Sequence, residues 1–212
     1  MYSTNSVLRV GGAILEDPRE GVSPKPLQLG KDVSWLQHCR LGDDQGTSPA
    51  CSMFAFASWA QIMRGVTISD DYILTRFRET AKALNRPSWV GLTMGEAFAA
   101  SSAAGMLPSV STMVHADLDD LAAQPLLAIY TMCPAWDSPS ESGYLNDSPG
   151  FEHPIRGFHA VAIVAAGDVK AFKAGPFIYL ENSWSRRWGW NGLGVMSMLQ
   201  HRRLCRELWK LI

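Results

Sequence analysis

Apolar residues recur at three- and four-residue steps through much of the first half of the chain. Met53, Phe54, Ala57, Ala60 and Gln61 make one mostly apolar stripe, which predicts a helix running to Arg64. Ser48 suits its N-cap and Pro49 its first position. A serine hydroxyl can accept a first-turn N–H, and proline lacks the N–H that would go unpaired there. Ser69 to Leu84 opens on Asp70 and Asp71 and continues with Tyr72, Leu74, Phe77, Ala81 and Leu84, a second amphipathic helix. Asn85 to Ser88 breaks it, and the alanine-rich stretch from Thr93 to a stop at Gly105 predicts a third.

The pattern changes near Leu107. Pro125–Tyr130, His159–Ala165, Phe177–Glu181 and Gly192–Leu199 are apolar runs of strand length, and Asp168 to Pro176 joins the second to the third as a hairpin. Leu118–Ala123 predicts a turn of helix. Pro134 to Gly157 is rich in Pro, Ser, Gly and Asn and reads as a long surface loop. At the other end, Val7–Leu15 could form a short strand. Pro18, Gly21, Pro24 and Pro26 then exclude a regular helix, so residues 1–31 read as an extended arm lying on the domain. Asp32–Leu36 is a short apolar opening segment, and Leu41–Asp44 is a turn. The fold class is α+β, with a helical first half and a mainly antiparallel second half.

Composition narrows the partners. With 212 residues, 47% of them hydrophobic, the chain can bury a sizeable core as one two-lobed domain or two small subdomains. A formal net charge of −1 argues against a nucleic-acid binder, which needs a basic face. Arg186-Arg187 and the Arg202, Arg203, Arg206 group read as solvated surface. Cys39, Cys51, Cys133 and Cys205 contain no C-x-x-C pair and do not combine with His38, His115, His153 or His201 at a zinc spacing, so no metal or other cofactor is expected. With Cys51 free, three cysteines cannot pair fully, which favours a reducing compartment. Met1–Asp17 lacks a signal-peptide pattern, and no window reaches the roughly 20 apolar residues of a membrane span. The expectation is a soluble chain, cytoplasmic or otherwise non-classically located.

The candidate chemistry starts at Cys51, which falls in the first turn of the first predicted helix. The positive end of the helix dipole and the free N–H groups there favour an anion, so a thiol in that place is a potential nucleophile. Taken alone, Cys51 reads equally as a small buried hydrophobe. Gln45, six residues upstream, could donate its side-chain amide to an oxyanion beside the sulfur, with the Cys51 N–H as second donor. His159 opens a strand directly after a loop, and Asn182 closes the next strand, followed by Ser183 and Trp184. Antiparallel neighbours could let the Asn182 amide oxygen accept from one ring nitrogen of His159 and aim the other at Cys51, with Trp184 roofing the pair. Singly, these residues also read as a core histidine, a turn asparagine and packing tryptophans.

In order, these segments resemble the papain family of cysteine peptidases. Asp44-Gln-Gly-Thr-Ser-Pro-Ala-Cys-Ser-Met-Phe-Ala-Phe-Ala57 is similar to its Gln and Cys segment, six apart, with an aromatic-alanine helix. Gly157-Phe-His-Ala-Val-Ala-Ile-Val164 resembles its His strand. Tyr179-Leu-Glu-Asn-Ser-Trp184 with Trp188-Gly-Trp-Asn-Gly192 resembles its Asn-Ser-Trp block, and Asp32-Val-Ser-Trp35 its Val-Asp-Trp opening. The resemblance spans residues 32 to about 198. It implies a two-lobed fold over residues 32–212, with a helical lobe over about 32–107, a barrel-like sheet lobe over about 108–212, and the site in the cleft between.

It also implies hydrolysis of peptide bonds in a peptide or protein substrate, with Cys51, His159, Asn182 and Gln45 in the roles above. Gly91 would match the glycine whose backbone pairs with extended substrate, and Ala160 would lie by the main specificity pocket. Departures are visible. Ser48 stands where a disulfide cysteine is usual, Ser52 replaces an aromatic, and Phe158 stands where a polar residue often precedes the histidine. Cys51 and His159 are 108 positions apart, shorter than the roughly 130–150 of the family pattern. The leader is also short for an inhibitory propeptide. These departures keep two other readings open: an amidase, isopeptidase or transferase using the same thiol–imidazole pair, and a non-catalytic binding or structural module.

Overall fold

A computed structural model describes residues 33–109, 111–145, 156–168 and 176–212. The arm at 1–31, with its Val7–Leu15 segment, and positions 169–175 of the expected hairpin lie outside the described residues. Among the described residues, a short strand β1 (Val33–Ser34) precedes three helices, α1 (Cys51–Arg64), α2 (Asp70–Ala83) and α3 (Met94–Ala103). Then come β2 (Met113–His115), β3 (Leu126–Thr131), β4 (Phe158–Asp168), β5 (Pro176–Glu181) and β6 (Leu193–Ser197), followed by helix α4 (Met198–Leu204) and β7 (Cys205–Leu211). The fold is α+β.

Helix α1 begins later than its capping residues suggest. Ser48 donates its N–H to the Gln45 carbonyl at 3.0 Å, and its own carbonyl accepts from Gln45 Nε2 at 2.6 Å. The chain is therefore still turning at Ser48, and Ala50 becomes the N-cap with Cys51 the first helical residue. Gly65, in a left-handed conformation with φ 63°, ends the helix. Every α1 residue from Cys51 to Ile62 is buried, so packing rather than a polar face stabilises it.

Ser69 caps α2, accepting from the Tyr72 N–H. The buried ridge of α2 is Ile73, Phe77 and Ala81, at successive steps of four. Tyr72 and Leu84, expected on that face, are exposed, and the Tyr72 hydroxyl instead donates to the Ala104 carbonyl at 2.8 Å. Helix α3 starts with a capping box: Thr93 Oγ1 accepts from the Glu96 N–H, and Glu96 Oε2 accepts from the Thr93 N–H at 2.9 Å.

The strands form one antiparallel sheet in the order β2-β7-β3-β4-β5-β6, with β1 paired to the far end of β4. It does not close, so the barrel-like expectation becomes an open sheet. Met198 and Leu199, expected in the last strand, belong instead to α4, because Ser197 caps a helix there by accepting from the Gln200 N–H. Strand β7 then returns between β2 and β3, an element the apolar pattern did not single out.

Alternation along β3 divides the core. Leu127 and Ile129 face α1 together with Ala160 of β4, beside Met53, Phe54 and Ala57. Leu126, Ala128 and Tyr130 face the other way, into a cluster holding Trp136, Trp184 and Trp188. Fully burying a large apolar side chain contributes roughly 1.5–3 kcal/mol, so the two clusters dominate the stability of this unit. Helix α1 packs directly on β4, the strand that carries His159.

Candidate active site

Two loops meet at the site by backbone pairing. The Gln45 N–H donates to the Ser183 carbonyl at 2.9 Å, and the Ser185 N–H donates to the Asp43 carbonyl at 2.9 Å. Asp44 and Trp184 bridge between them in antiparallel fashion. The segment leading into α1 is thus laid against the segment leaving β5. Gly42, at φ 92°, is needed in that approach, since a Cβ there would lie 2.1 Å from Arg186 Cγ.

His159 is fully buried on β4 and sits opposite Tyr130 of β3. Its Nε2 is 2.7 Å from Asn182 Oδ1, and the Ser183 N–H donates to the same oxygen at 2.8 Å. An amide oxygen only accepts, so Nε2 carries the proton and Nδ1 is the basic nitrogen of the neutral ring. Trp184 lies over the imidazole with ring centroids 4.5 Å apart, tilted by 36°. Trp136 meets it edge-on at 5.7 Å. Trp188 braces the assembly by donating Nε1–H to the Trp136 carbonyl at 2.7 Å. Dry walls of this kind strengthen the hydrogen bond they enclose.

Gln45 is buried and held at both ends. Nε2 donates to Ser48 as above, and Oε1 accepts from Ser183 Oγ at 2.6 Å. Gln45, Ser183, Asn182 and His159 therefore form one connected polar network. Cys51 opens α1, fully buried, after an N-cap alanine that offers no side-chain acceptor. It belongs to the same apolar cluster as Ala160, the neighbour of His159.

No protein-family model and no curated protein matches the chain. Solved structures do. Xylellain, a cysteine protease from Xylella fastidiosa, matches with a TM-score of 0.66 at 15% identity, over 95% of this chain and 95% of its own. Digestive procathepsin L 3 of the Tenebrio molitor larval midgut matches with a TM-score of 0.66 at 17% identity, over 96% of this chain and 76% of its own. Procathepsin B S9 from Trypanosoma congolense gives 0.64 at 14% identity, over 95% and 85%. The chain has a papain-like fold.

Within that papain-like fold, one of the remaining expected residues is tied to the start of α1. The Ser52 hydroxyl donates to the Leu92 carbonyl at 3.4 Å, which brings the Gly91–Leu92 backbone alongside Cys51–Ser52. Gly91 is buried, and its carbonyl accepts from Arg86 Nη1 at 2.7 Å. Ala160 is buried opposite Ile129. Two contributors were not singled out as site residues in the sequence. Ser183 ties Gln45 to the Asn182 loop. Trp136 lies in the stretch read as surface loop, yet it is wholly buried against His159, and Leu145 of the same stretch is buried too. The available signal was Cys133-Pro-Ala-Trp136, where proline starts a 3₁₀ turn that swings a large aromatic inward.

The other thiols are chemically quiet. Burial, reinforced by Glu181, holds Cys39 far above the ordinary thiol range, and burial likewise raises Cys133. Cys205 is pushed up to about 12, again mainly by burial. Among the described residues, no group of three His, Cys, Asp or Glu side chains is placed to hold a metal ion, and no helix is long and apolar enough to cross a membrane.

Proposed function

We propose that the chain is a papain-like cysteine peptidase that hydrolyses peptide bonds by acyl transfer. The observation that carries this reading is the buried His159 Nε2–Asn182 Oδ1 bond of 2.7 Å under Trp184, linked through Ser183 to Gln45. In this reading residues 32–212 form the peptidase domain, helical to about residue 107, and the substrate is a peptide or protein. Cys51 is the nucleophile, His159 the general acid and base, Asn182 its orienting partner, and Gln45 an oxyanion donor. Trp184 shields the pair, Gly91 offers backbone to extended substrate, and Ala160 borders the specificity pocket.

The thiolate of Cys51 attacks the carbonyl carbon, and the electron pair moves onto the oxygen. That oxyanion is held by the Cys51 N–H and the Gln45 amide. An amide NH2 carries two hydrogens; one is given to Ser48, leaving the second for the oxyanion. Imidazolium His159 donates a proton to the leaving amine as the C–N bond breaks, leaving a thioester. His159 then takes a proton from water, whose oxygen attacks the thioester, and the acid product leaves as the thiolate is restored.

The test combines turnover with labelling. Cys51→Ala should abolish cleavage of an unfolded protein substrate and leave the fold intact. Iodoacetamide at mildly acid pH should alkylate Cys51, whose thiolate the first turn of α1 favours, far faster than Cys39, Cys133 or Cys205. Full activity in Cys51→Ala sinks the reading. Equal labelling of all four cysteines supports the alternative of a non-catalytic peptidase-like module, which the complete burial of Cys51 and His159 favours.

A further inference from the structure

Glu181, the last residue of β5 and the neighbour of Asn182, is a buried carboxyl that the proposed chemistry does not use. It pairs across the sheet with uncharged Ala162 of β4 and Leu193 of β6. Its Oε1 accepts from the Leu41 N–H at 3.1 Å, on the loop that carries Gln45. The Cys39 thiol and, from α1, the Ser58 hydroxyl lie beside it.

The charged group that acts on it is another buried carboxyl, Asp43. Asp43 Oδ2 accepts from Gln61 Nε2 of α1 at 3.1 Å, and Asp43 Oδ1 has Arg40 at 3.5 Å. Asp70, at the start of α2, accepts from the Asp44 N–H at 3.1 Å and adds a further negative charge facing Asp43. Arg186, across the ribbon, directs Nε to the Leu41 carbonyl. Arg40, the cation beside Asp43, is itself partly exposed, so it compensates this acidic cluster only weakly.

We infer that Glu181 is a positioning residue for the candidate active site, a buried carboxyl clamp that holds the Arg40–Gln45 loop against the Asn182–Ser185 segment. Its catalytic consequence rests on the peptidase reading; its structural part does not. Burial, with Asp43 beside it, outweighs the Leu41, Cys39 and Ser58 hydrogen bonds that favour the anion and pushes Glu181 up to about 7, so the clamp is neutral in acid and becomes a costly buried anion as pH rises. The charged form repels Asp43 and loosens the loop that presents Gln45.

The test measures amide hydrogen exchange and peptide turnover in the parent, Glu181→Gln and Glu181→Leu, from about pH 5 to about pH 8.5. In Glu181→Leu the Leu41, Gln45 and Ser185 amides should exchange about ten-fold faster while α2 and α3 stay protected. Its kcat should fall about ten-fold with KM within about two-fold. Glu181→Gln, which keeps the acceptor for Leu41, should restore both and abolish the parent's rise in loop opening, read as exchange relative to the intrinsic amide rate at each pH, between about pH 5 and about pH 7. Parental exchange at those three amides in Glu181→Leu overturns the clamp. So does a Glu181→Gln protein with the parent's pH profile, which decides the matter even if Glu181→Leu fails to fold. A parent that cleaves no peptide sinks the peptidase reading instead, and exchange then judges the clamp by itself.

Discussion

Replacing Asn182 by alanine probes the network at its most connected atom. Asn182 is 2% exposed, and its Oδ1 takes two donors, His159 Nε2 at 2.7 Å and the Ser183 N–H at 2.8 Å. Truncation leaves both N–H groups buried beside Trp184 without that acceptor. Each orphaned donor costs roughly 1–3 kcal/mol, and water entering the vacated space moves the sum toward the low end. A loss of about 3 kcal/mol is expected, which lowers Tm by roughly 6–12 °C at 2–4 °C per kcal/mol for a chain of this size. Urea unfolding followed by tryptophan fluorescence reads it directly. If the peptidase reading holds, kcat falls about ten- to hundred-fold with KM within about two-fold, because an orienting group acts after binding. A variant within about 0.5 kcal/mol of the parent, with kcat within about two-fold, would refute the claim that this oxygen holds the imidazole.

Two further outcomes follow from burial. Glu181 is raised from 4.5 to about 7, chiefly by burial and then by Asp43, so the fold favours its neutral form. That stabilisation is complete below the unfolded value of about 4.5 and is lost as pH rises through about 7, a change on the order of 3 kcal/mol. Asp43, also raised by burial, adds a contribution of the same sign. Urea midpoints should therefore fall across that window in the parent and much less in Glu181→Gln; parallel curves would contradict the assignment. Trp136→Ala should cost about 3–5 kcal/mol by equilibrium unfolding, since the ring is fully buried against Tyr130, His159, Trp184 and Trp188. A cost below about 1 kcal/mol would mean that the tryptophan cluster collapses freely around the gap.

The helices were legible because local chemistry and burial agree there. Ser69 and Thr93 cap their helices by the bonds their side chains suit, and Gly65 and Gly105 take the left-handed conformation that ends a helix. Strand β7 was not legible, since its alternation places a charged residue on the buried face. Glu207 lies inward with Trp209 and Leu211, and it is accommodated by the Trp209 Nε1–H at 3.0 Å, a partner that only the folded strand supplies. Ser48 failed as a cap for a related reason. Its carbonyl and N–H are both taken by Gln45, so the turn that shapes the site overrides the propensity of its residues. At the site, His159, Asn182 and Trp184 could be placed near one another by strand order, whereas Trp136 arrives from a stretch whose composition is that of a surface loop.

Strand order alone, however, does not put Asn182 on the face of His159; a bulge does. Along the inner part of the β4–β5 ladder, Ala165 lies opposite Tyr179 and Ala166 opposite Ile178. Continued without interruption, that register would set Asn182 opposite Ala162, on the face away from His159, because a one-residue slip reverses every side chain. The register shifts between Ile163 and Ala165, so that Ile163 pairs with Leu180 and Ala162 with Glu181. Continued past Glu181, where the ladder ends, the shifted register would put Asn182 and Trp184 on the face of His159, the side on which the 4.5 Å tilted ring contact and the 2.7 Å hydrogen bond are found. The extra residue is Val164, and its carbonyl accepts from the Trp35 N–H at 2.8 Å, so the bulge leaves that oxygen satisfied. Val33 and Ser34, a two-residue strand that looks incidental, pair with β4 just beyond this point, against Ala166 and Ala165. The opening segment thus secures the irregularity that turns two sequence-distant polar side chains onto one surface.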